Sequence, residues 1–431
     1  MINYYFYFDY SDGTMRTYNS TTDKFKTMTR QELYSQKKRY HMLMGYDSNE
    51  EGLKAFSKDF FKWVEQLKAN DVFTFDYLKY KSHESASVEM FKKLCNGKYE
   101  DMEEIDSTEY EFIEACNNAG LTYCKSGKFE SYGYDYSSQY PSILASEGFE
   151  IPTCKDIVRT IIELPAKLEV GYYKVKITSD DERFKKSFAF SKQHVYTHIS
   201  LMFALLCKNK ENYNVNIELI QEANNCYVYG KNRKDNITKG SLVFGKWYNY
   251  LFGLKECFPS NKLVKFMTSA LWGRLAQHNR LFKTENEIEN ENLDVGLTYS
   301  KNHDWYIRDT KYKKDGTEIC ELVNCKKPYY FSIARIKPFL LAKSRELTGK
   351  VAIKYIDDVI RIHTDDITFN KEHDNVIFHQ KTFKLTKALK TTGKIEWRNC
   401  ACYKNYTNEK YTTKNFHDEI IEDETEFDNE E

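Results

Sequence analysis

Three stretches of the chain set the pattern of apolar and polar positions from which its elements are read. In "FESYGYDYSSQYPSILAS", residues 129–146, the two kinds of position alternate toward Asp135, which predicts a short β-strand. Pro141 then opens an apolar run where a helix can begin, because proline is tolerated in a first turn. Asp135 is thereby set at a strand end, followed by backbone amides free to meet an anion. "SNKLVKFMTSALWGRLAQHNRLF", residues 260–282, predicts one long helix, with Pro259 before it and Ser260 or Asn261 as N-cap. On it Lys265, Ser269 and Trp272 recur at steps of four and three and so share a face. "VAIKYIDDVIRIHTDDITFN", residues 351–370, has β-branched residues on both sides of "HTDD" and predicts a β-hairpin with an acidic tip. "KQHVYTHISLMFALL", residues 192–206, places His194 and His198 one helical turn apart; with no third ligand nearby, a packed or surface helix is favoured over a metal site.

Composition narrows the class. A chain of 431 residues holds two to four domain-sized units, or one large enzyme with a cleft between subdomains. Its 41% hydrophobic and 16% aromatic content is that of a folded, soluble protein. The formal net charge of zero conceals an asymmetry. The last fifteen residues, "HDEIIEDETEFDNEE", carry nine acidic side chains and no Lys or Arg, so the body has 64 basic against 55 acidic groups and is net +9. A basic body suits a polyanionic partner, and the acidic end reads as a solvated, disordered tail. Eleven scattered cysteines and an N-terminus unlike a signal peptide suggest a reducing intracellular compartment. The spacings Cys320/Cys325 and Cys400/Cys402 are not those usual for zinc. No apolar run approaches the roughly 20 residues that span a bilayer, so no membrane partner is expected.

The chemistry follows from the three stretches together. Two carboxylates on separate strands plus a lysine on a helix make a site for a divalent cation and a triphosphate. Oxygen ligands suit Mg²⁺, which takes one or two protein carboxylates and leaves its remaining positions to water and phosphate.

In this order the stretches resemble the palm and fingers motifs of family B DNA polymerases. "DYSSQYPS" resembles the first motif, an Asp, two or three variable residues and Leu-Tyr-Pro-Ser. "KFMTSALWG" resembles the second, Lys, three residues and Asn-Ser-x-Tyr-Gly, and "IHTDDI" the third, usually Asp-Thr-Asp-Ser. The resemblance extends over roughly residues 110–400. The short chain, the 130 residues between Asp135 and Lys265 and the 100 between Lys265 and Asp365 are most like the protein-primed branch of phages, linear plasmids, virus-like transposons and related eukaryotic viruses.

The resemblance implies roles residue by residue. Asp135 and Asp365 would be catalytic and hold two Mg²⁺ or Mn²⁺ ions, with the Tyr136 carbonyl as a further ligand. Lys265 would neutralise the incoming triphosphate, helped by backbone amides at Ser138 and Gln139. Tyr140 would pack under the deoxyribose, and Ser269, Trp272 and Gly273 would complete the nucleotide pocket. Thr364, Asp366, Lys394 and Trp397 would face DNA or the primer, the last two from "LKTTGKIEWRN". Departures are Ser269-Ala270 for Asn-Ser, Trp272 for tyrosine, and His363 at the first acidic position of the third motif. A frame shifted by one residue would make Asp366 the ligand in place of Asp365.

The implied architecture is an α/β (α+β) right-hand polymerase with palm, fingers and short thumb, preceded by a reduced exonuclease-like (RNase H-like) domain. Residues 1–110 would be that domain, 111–370 the palm with inserted fingers and priming-type insertions, 371–416 the palm end and thumb, and 417–431 the tail. In the first domain Asp9 and Ser11 stand where an Asp-x-Glu pair is expected, and Asp76 and Lys81 near an expected Asn and Asp, so editing is expected to be absent. Expected partners are template-primer DNA, deoxynucleoside triphosphates and a terminal protein primer. A reverse transcriptase or RNA polymerase also uses paired aspartates on a hairpin, but lacks the Tyr140-Pro141-Ser142 and Lys265 combination. The alternative function is a catalytically degenerate polymerase that only binds nucleic acid.

Overall fold

The computed structural model describes residues 4–36, 40–43, 46–69, 73–80, 82–95, 102–229, 236–257, 262–312, 316–373, 383–413 and 416. Pro259, the candidate caps Ser260 and Asn261, Lys81 and the acidic segment 417–431 lie outside the described residues. Two compact units interleave along the sequence. One comprises Met1–Glu111, Tyr140–Asp156 and Tyr229–Lys337, the other Phe112–Gln139, Ile157–Val228 and Pro338–Glu431.

In the first unit, strand Tyr4–Asp9 pairs antiparallel with Thr14–Asn19, which pairs with Lys24–Met28, and Tyr40–Met42 adds parallel to Tyr4–Asp9. Helix Glu50–Lys68 starts where the Asn49 side chain accepts the Gly52 N–H at 2.7 Å. It turns Phe56 and Phe60 toward Tyr5, each with ring centroids 5.8 Å from the tyrosine. Helices His83–Leu94, Gly240–Cys257 and Lys262–Leu275 form a cluster. The last of these buries Val264, Met267, Leu271 and Leu275, a three-to-four-residue spacing that leaves Lys265 and Ser269 on the exposed side. Ser87 Oγ donates to the Met267 carbonyl at 2.7 Å, and Phe91 stacks on Phe244 at 4.8 Å. Within the same unit the wholly buried Arg335 grips Glu109 through both carboxylate oxygens at 2.8 and 3.1 Å and donates to the Thr153 and Glu103 carbonyls; Tyr229 completes the shell.

The second unit is built on an antiparallel sheet in the order Cys402–Asn405, Gly393–Asn399, Gly127–Tyr136, Asp366–Phe369, Val359–His363, Thr122–Cys124, with Leu385–Lys387 also paired to Gly127–Tyr136. The predicted strand before Tyr-Pro and the predicted "HTDD" hairpin are both present. A second sheet is centred on Gly171–Thr178 and packs Tyr173, Val175, Phe184, Leu201 and Phe203 into one core. The expected shared helix for His194 and His198 is not formed. His194 is a turn residue at φ +56°, Val195–Thr197 is a strand, and His198 opens helix His198–Asn209 behind the Thr197 cap. His198 is buried there and its Nδ1 accepts the Gly171 N–H at 3.4 Å; burial pushes its pKa down to about 4.

Candidate active site

Asp135 is the penultimate residue of strand Gly127–Tyr136, and across the antiparallel ladder its partner is Asp366, the first residue of Asp366–Phe369. Partners directly opposite project to the same face, so two acids are forced together by register alone. A third, Asp365, follows Thr364 in the tight turn of the hairpin. Thr364 adopts φ +63°, donates its N–H to the Leu121 carbonyl at 2.9 Å and accepts the Thr348 hydroxyl at 3.0 Å. Its side chain lies against Gly120, where a Cβ would come 2.7 Å from Oγ1. The Asp365 carbonyl accepts the Tyr136 N–H at 3.1 Å, which pins the hairpin tip to the end of the strand carrying Asp135.

The two acids of "DD" have different environments. Asp366 is 2% exposed and ion-paired to Arg361 at 2.5 Å, with Thr368 and Thr391 hydroxyls at 3.4 and 3.3 Å. Arg361 is itself fixed, donating to the Cys400 carbonyl at 2.8 Å and to His363 Nδ1 at 3.1 Å, and lying 4.8 Å from the Trp397 ring centre. Asp365 has no ion-pair partner among the described residues. Burial and the negative charge of Asp135 push its carboxyl up to about 6. An acid raised by burial and by a neighbouring carboxylate is the state that a divalent cation relieves. The donor set therefore fits a hard cation at Asp135 and Asp365, while Asp366 already has its positive partner.

Sequence reasoning missed Lys390. The 3₁₀ turn Leu389–Thr391 folds back on the strand and places its ammonium 3.3 Å from Asp135 and 3.2 Å from Asp366. Burial disfavours the charged amine, but the two carboxylates outweigh it and raise its pKa. The signal was the same "LKTTGK" segment from which Lys394 and Trp397 were chosen, displaced by one turn.

Three residues expected at DNA or the primer are placed elsewhere. Trp397 is 1% exposed, packs against Tyr403 with ring centroids 4.7 Å apart and donates its indole N–H to Ser131 at 3.1 Å, so it belongs to the core of the sheet. Asp366 is likewise too buried to face DNA. Lys394 is exposed, but its ladder partner is Glu130, five residues from Asp135. That is roughly 17 Å along a strand and on the opposite face, so Lys394 is not brought to the carboxylates.

Ser138 sits in the left-handed region at φ +54° and leads into the short helix Gln139–Leu144. The Gln139 side chain is buried, donating to Thr348 Oγ1 at 3.3 Å and accepting from Ser344, which leaves only its backbone for a ligand.

The remaining expected nucleotide residues belong to the first unit. Tyr140 and Trp272 approach with ring centroids 5.1 Å apart. Ser269, Trp272 and Gly273 line an open cleft of about 620 Å³ together with Arg274 and Arg280. Lys265 is exposed on the same helix, and Lys255 of Gly240–Cys257 is close enough that burial and the Lys265 charge lower its pKa. In the N-terminal sheet Asp9 accepts both the Ser11 N–H and hydroxyl and pairs with Arg16 at 3.3 Å. Among the described residues no cluster of three or more His, Cys, Asp or Glu could hold a metal, and no helix is long and apolar enough to cross a membrane.

No protein-family model and no characterised protein matches the sequence. Solved structures do match. Phi29 DNA polymerase complexed with single-stranded DNA aligns with a TM-score of 0.55 at 11% identity over 83% of this chain and 58% of the polymerase. Its complex with primer-template DNA aligns at 0.55 and 13% over 86% and 62%, and the ternary complex with incoming nucleotide at 0.53 and 12% over 82% and 59%. The chain spans about three fifths of the polymerase it matches. At this identity the likeness establishes a DNA polymerase-like α/β fold.

Proposed function

We propose that the chain is a DNA-directed DNA polymerase of the family B type, adding deoxynucleotides to a primer end by nucleotidyl transfer in viral or mobile-element replication. The observation that carries this reading is that Asp365, at a hairpin tip pinned to the end of the Asp135 strand, lies close enough to feel the charge of Asp135, in a chain of polymerase-like fold. Mg²⁺ or Mn²⁺ bound there would activate the primer 3′-hydroxyl and stabilise the pyrophosphate leaving group. Asp135 and Asp365 supply the ligands, with the Tyr136 carbonyl beside them. Arg361 pairs with Asp366 and keeps it out of the coordination sphere, and thereby fixes the hairpin on which Asp365 stands.

Lys265 is the residue assigned to triphosphate charge, and the Trp272, Ser269 and Gly273 surface, with Tyr140, to the base and sugar. Ser138 and Gln139 contribute backbone amides. The palm, fingers and short thumb take the boundaries read from the sequence. The N-terminal sheet is an exonuclease-like domain without editing activity, since Asp9 is consumed by Ser11 and Arg16. A protein-primed mode belongs to the same reading.

Primer extension on a primed single-stranded DNA template with Mg²⁺ or Mn²⁺ tests it. Wild type should extend and Asp135→Asn should lose at least 10³-fold, as removal of a metal ligand implies. Tight DNA binding without incorporation from any free primer or terminal-protein primer would favour the degenerate, binding-only reading.

A further inference from the structure

The turn that carries Lys390 is received by the strand that carries Asp135. The Ala388 N–H donates to the Gly133 carbonyl at 2.7 Å and the Gly133 N–H to Thr392 Oγ1 at 3.1 Å. Gly133 has no side chain, and a Cβ there would stand 1.9 Å from Thr391 Oγ1, so the strand is cut away to admit the turn. Thr391, wholly buried, reaches Asp366 at 3.3 Å, and the next side chain back spans Asp135 and Asp366 at 3.3 and 3.2 Å.

We propose that Lys390 is a built-in counter-ion that holds Asp135 in position before metal arrives and that the entering divalent cation must displace, so that this lysine sets the metal affinity of the site. The inference rests on the reading of Asp135 and Asp365 as metal ligands. An ammonium 3.3 Å from a carboxylate oxygen and a dication bonded to that carboxylate repel each other strongly at such separations. Arg361 remains with Asp366 in either state, so Asp366 keeps a positive partner when Lys390 leaves. The lysine has a flexible stem and is 45% exposed, which gives it a route outward. Lys390 is a positioning residue, acting through Asp135.

The test is Mn²⁺ binding followed by the electron paramagnetic resonance of free Mn²⁺, with melting temperatures recorded in EDTA and in Mn²⁺. Lys390→Met should bind Mn²⁺ about tenfold more tightly than wild type, within the ordinary range of coupling between two ligands. It should melt lower in EDTA and recover in Mn²⁺. Lys390→Arg, whose planar fork is harder to dislodge, should bind Mn²⁺ no more tightly than wild type. Unchanged or weaker binding by a folded Lys390→Met overturns the inference and leaves Lys390 a strut. If Lys390→Met does not fold, tighter binding by Lys390→Arg overturns it and equal or weaker binding supports it. If wild type and Asp135→Asn bind Mn²⁺ equally, or neither binds, the metal reading itself fails and the inference falls with it.

Discussion

Removing the charge of Asp365 should stabilise the metal-free protein. Burial and Asp135 lift this carboxyl from 3.8 to about 6. At about 1.4 kcal/mol per unit, the ionised group costs the folded state about 3 kcal/mol at neutral pH. The sign follows from proton binding. The folded state holds the proton more tightly than the unfolded chain, so its contribution to stability is fully present below about pH 4 and is lost as pH rises through about 6. Asp365→Asn, in EDTA at pH 7.5, should therefore raise stability by up to about 3 kcal/mol, and the gain should shrink to about 1 kcal/mol at pH 4.5. Urea unfolding of both proteins at the two pH values measures this directly. The same variant should lose Mn²⁺ binding, so stability and function change in opposite directions. A variant no more stable than wild type at pH 7.5 in EDTA would refute the argument that Asp365 is strained by Asp135 and uncompensated by a cation.

Four further substitutions test other parts of the structure. Gly133→Ala should push Thr391 off the strand and destabilise by about 1–3 kcal/mol in urea, the usual cost of overpacking, and should not weaken Mn²⁺ binding, because the displaced turn carries Lys390 away with it. Arg335→Met leaves Glu109 buried without its positive partner and should cost about 3–5 kcal/mol, read as a lowered urea midpoint. Trp397→Ala should cost about 3–5 kcal/mol of stability as a core deletion, whereas Lys394→Ala should leave the urea midpoint within about 0.5 kcal/mol of wild type.

The elements that carry Asp135 and Asp365 were legible because their signals are local. Alternation followed by Tyr-Pro marks a strand running into a helix, and β-branched residues flanking "HTDD" mark a hairpin. The spacing of Lys265, Ser269 and Trp272 likewise gave the exposed side of their helix. What escaped depends on contacts distant in sequence. Lys390 meets Asp135 across 255 residues through a 3₁₀ turn with no strong signature, so a lysine four positions later was preferred. Trp397 in a strand after a glycine turn reads equally as a surface or a core aromatic, and only its bond to Ser131 and stacking against Arg361 decide for the core. Which of the two acids of "DD" takes an ion pair was not legible, because it depends on Arg361, which lies on the neighbouring strand and pairs with Asp366. His194 and His198 failed as a helical pair because the β-branched Val195 and Thr197 joined the second sheet.

The most direct test of the central claim is single-nucleotide incorporation on a primed DNA template with Mn²⁺, comparing wild type with Asp365→Asn and Asp366→Asn. The account predicts template-directed addition by wild type, and a loss of at least 10³-fold in Asp365→Asn with metal binding abolished. It predicts that Asp366→Asn retains Mn²⁺ binding, because Asp366 is held by Arg361 and lies outside the coordination sphere. Incorporation that survives in Asp365→Asn and disappears with metal binding in Asp366→Asn would contradict the assignment. Incorporation equal in all three proteins would contradict the polymerase site altogether.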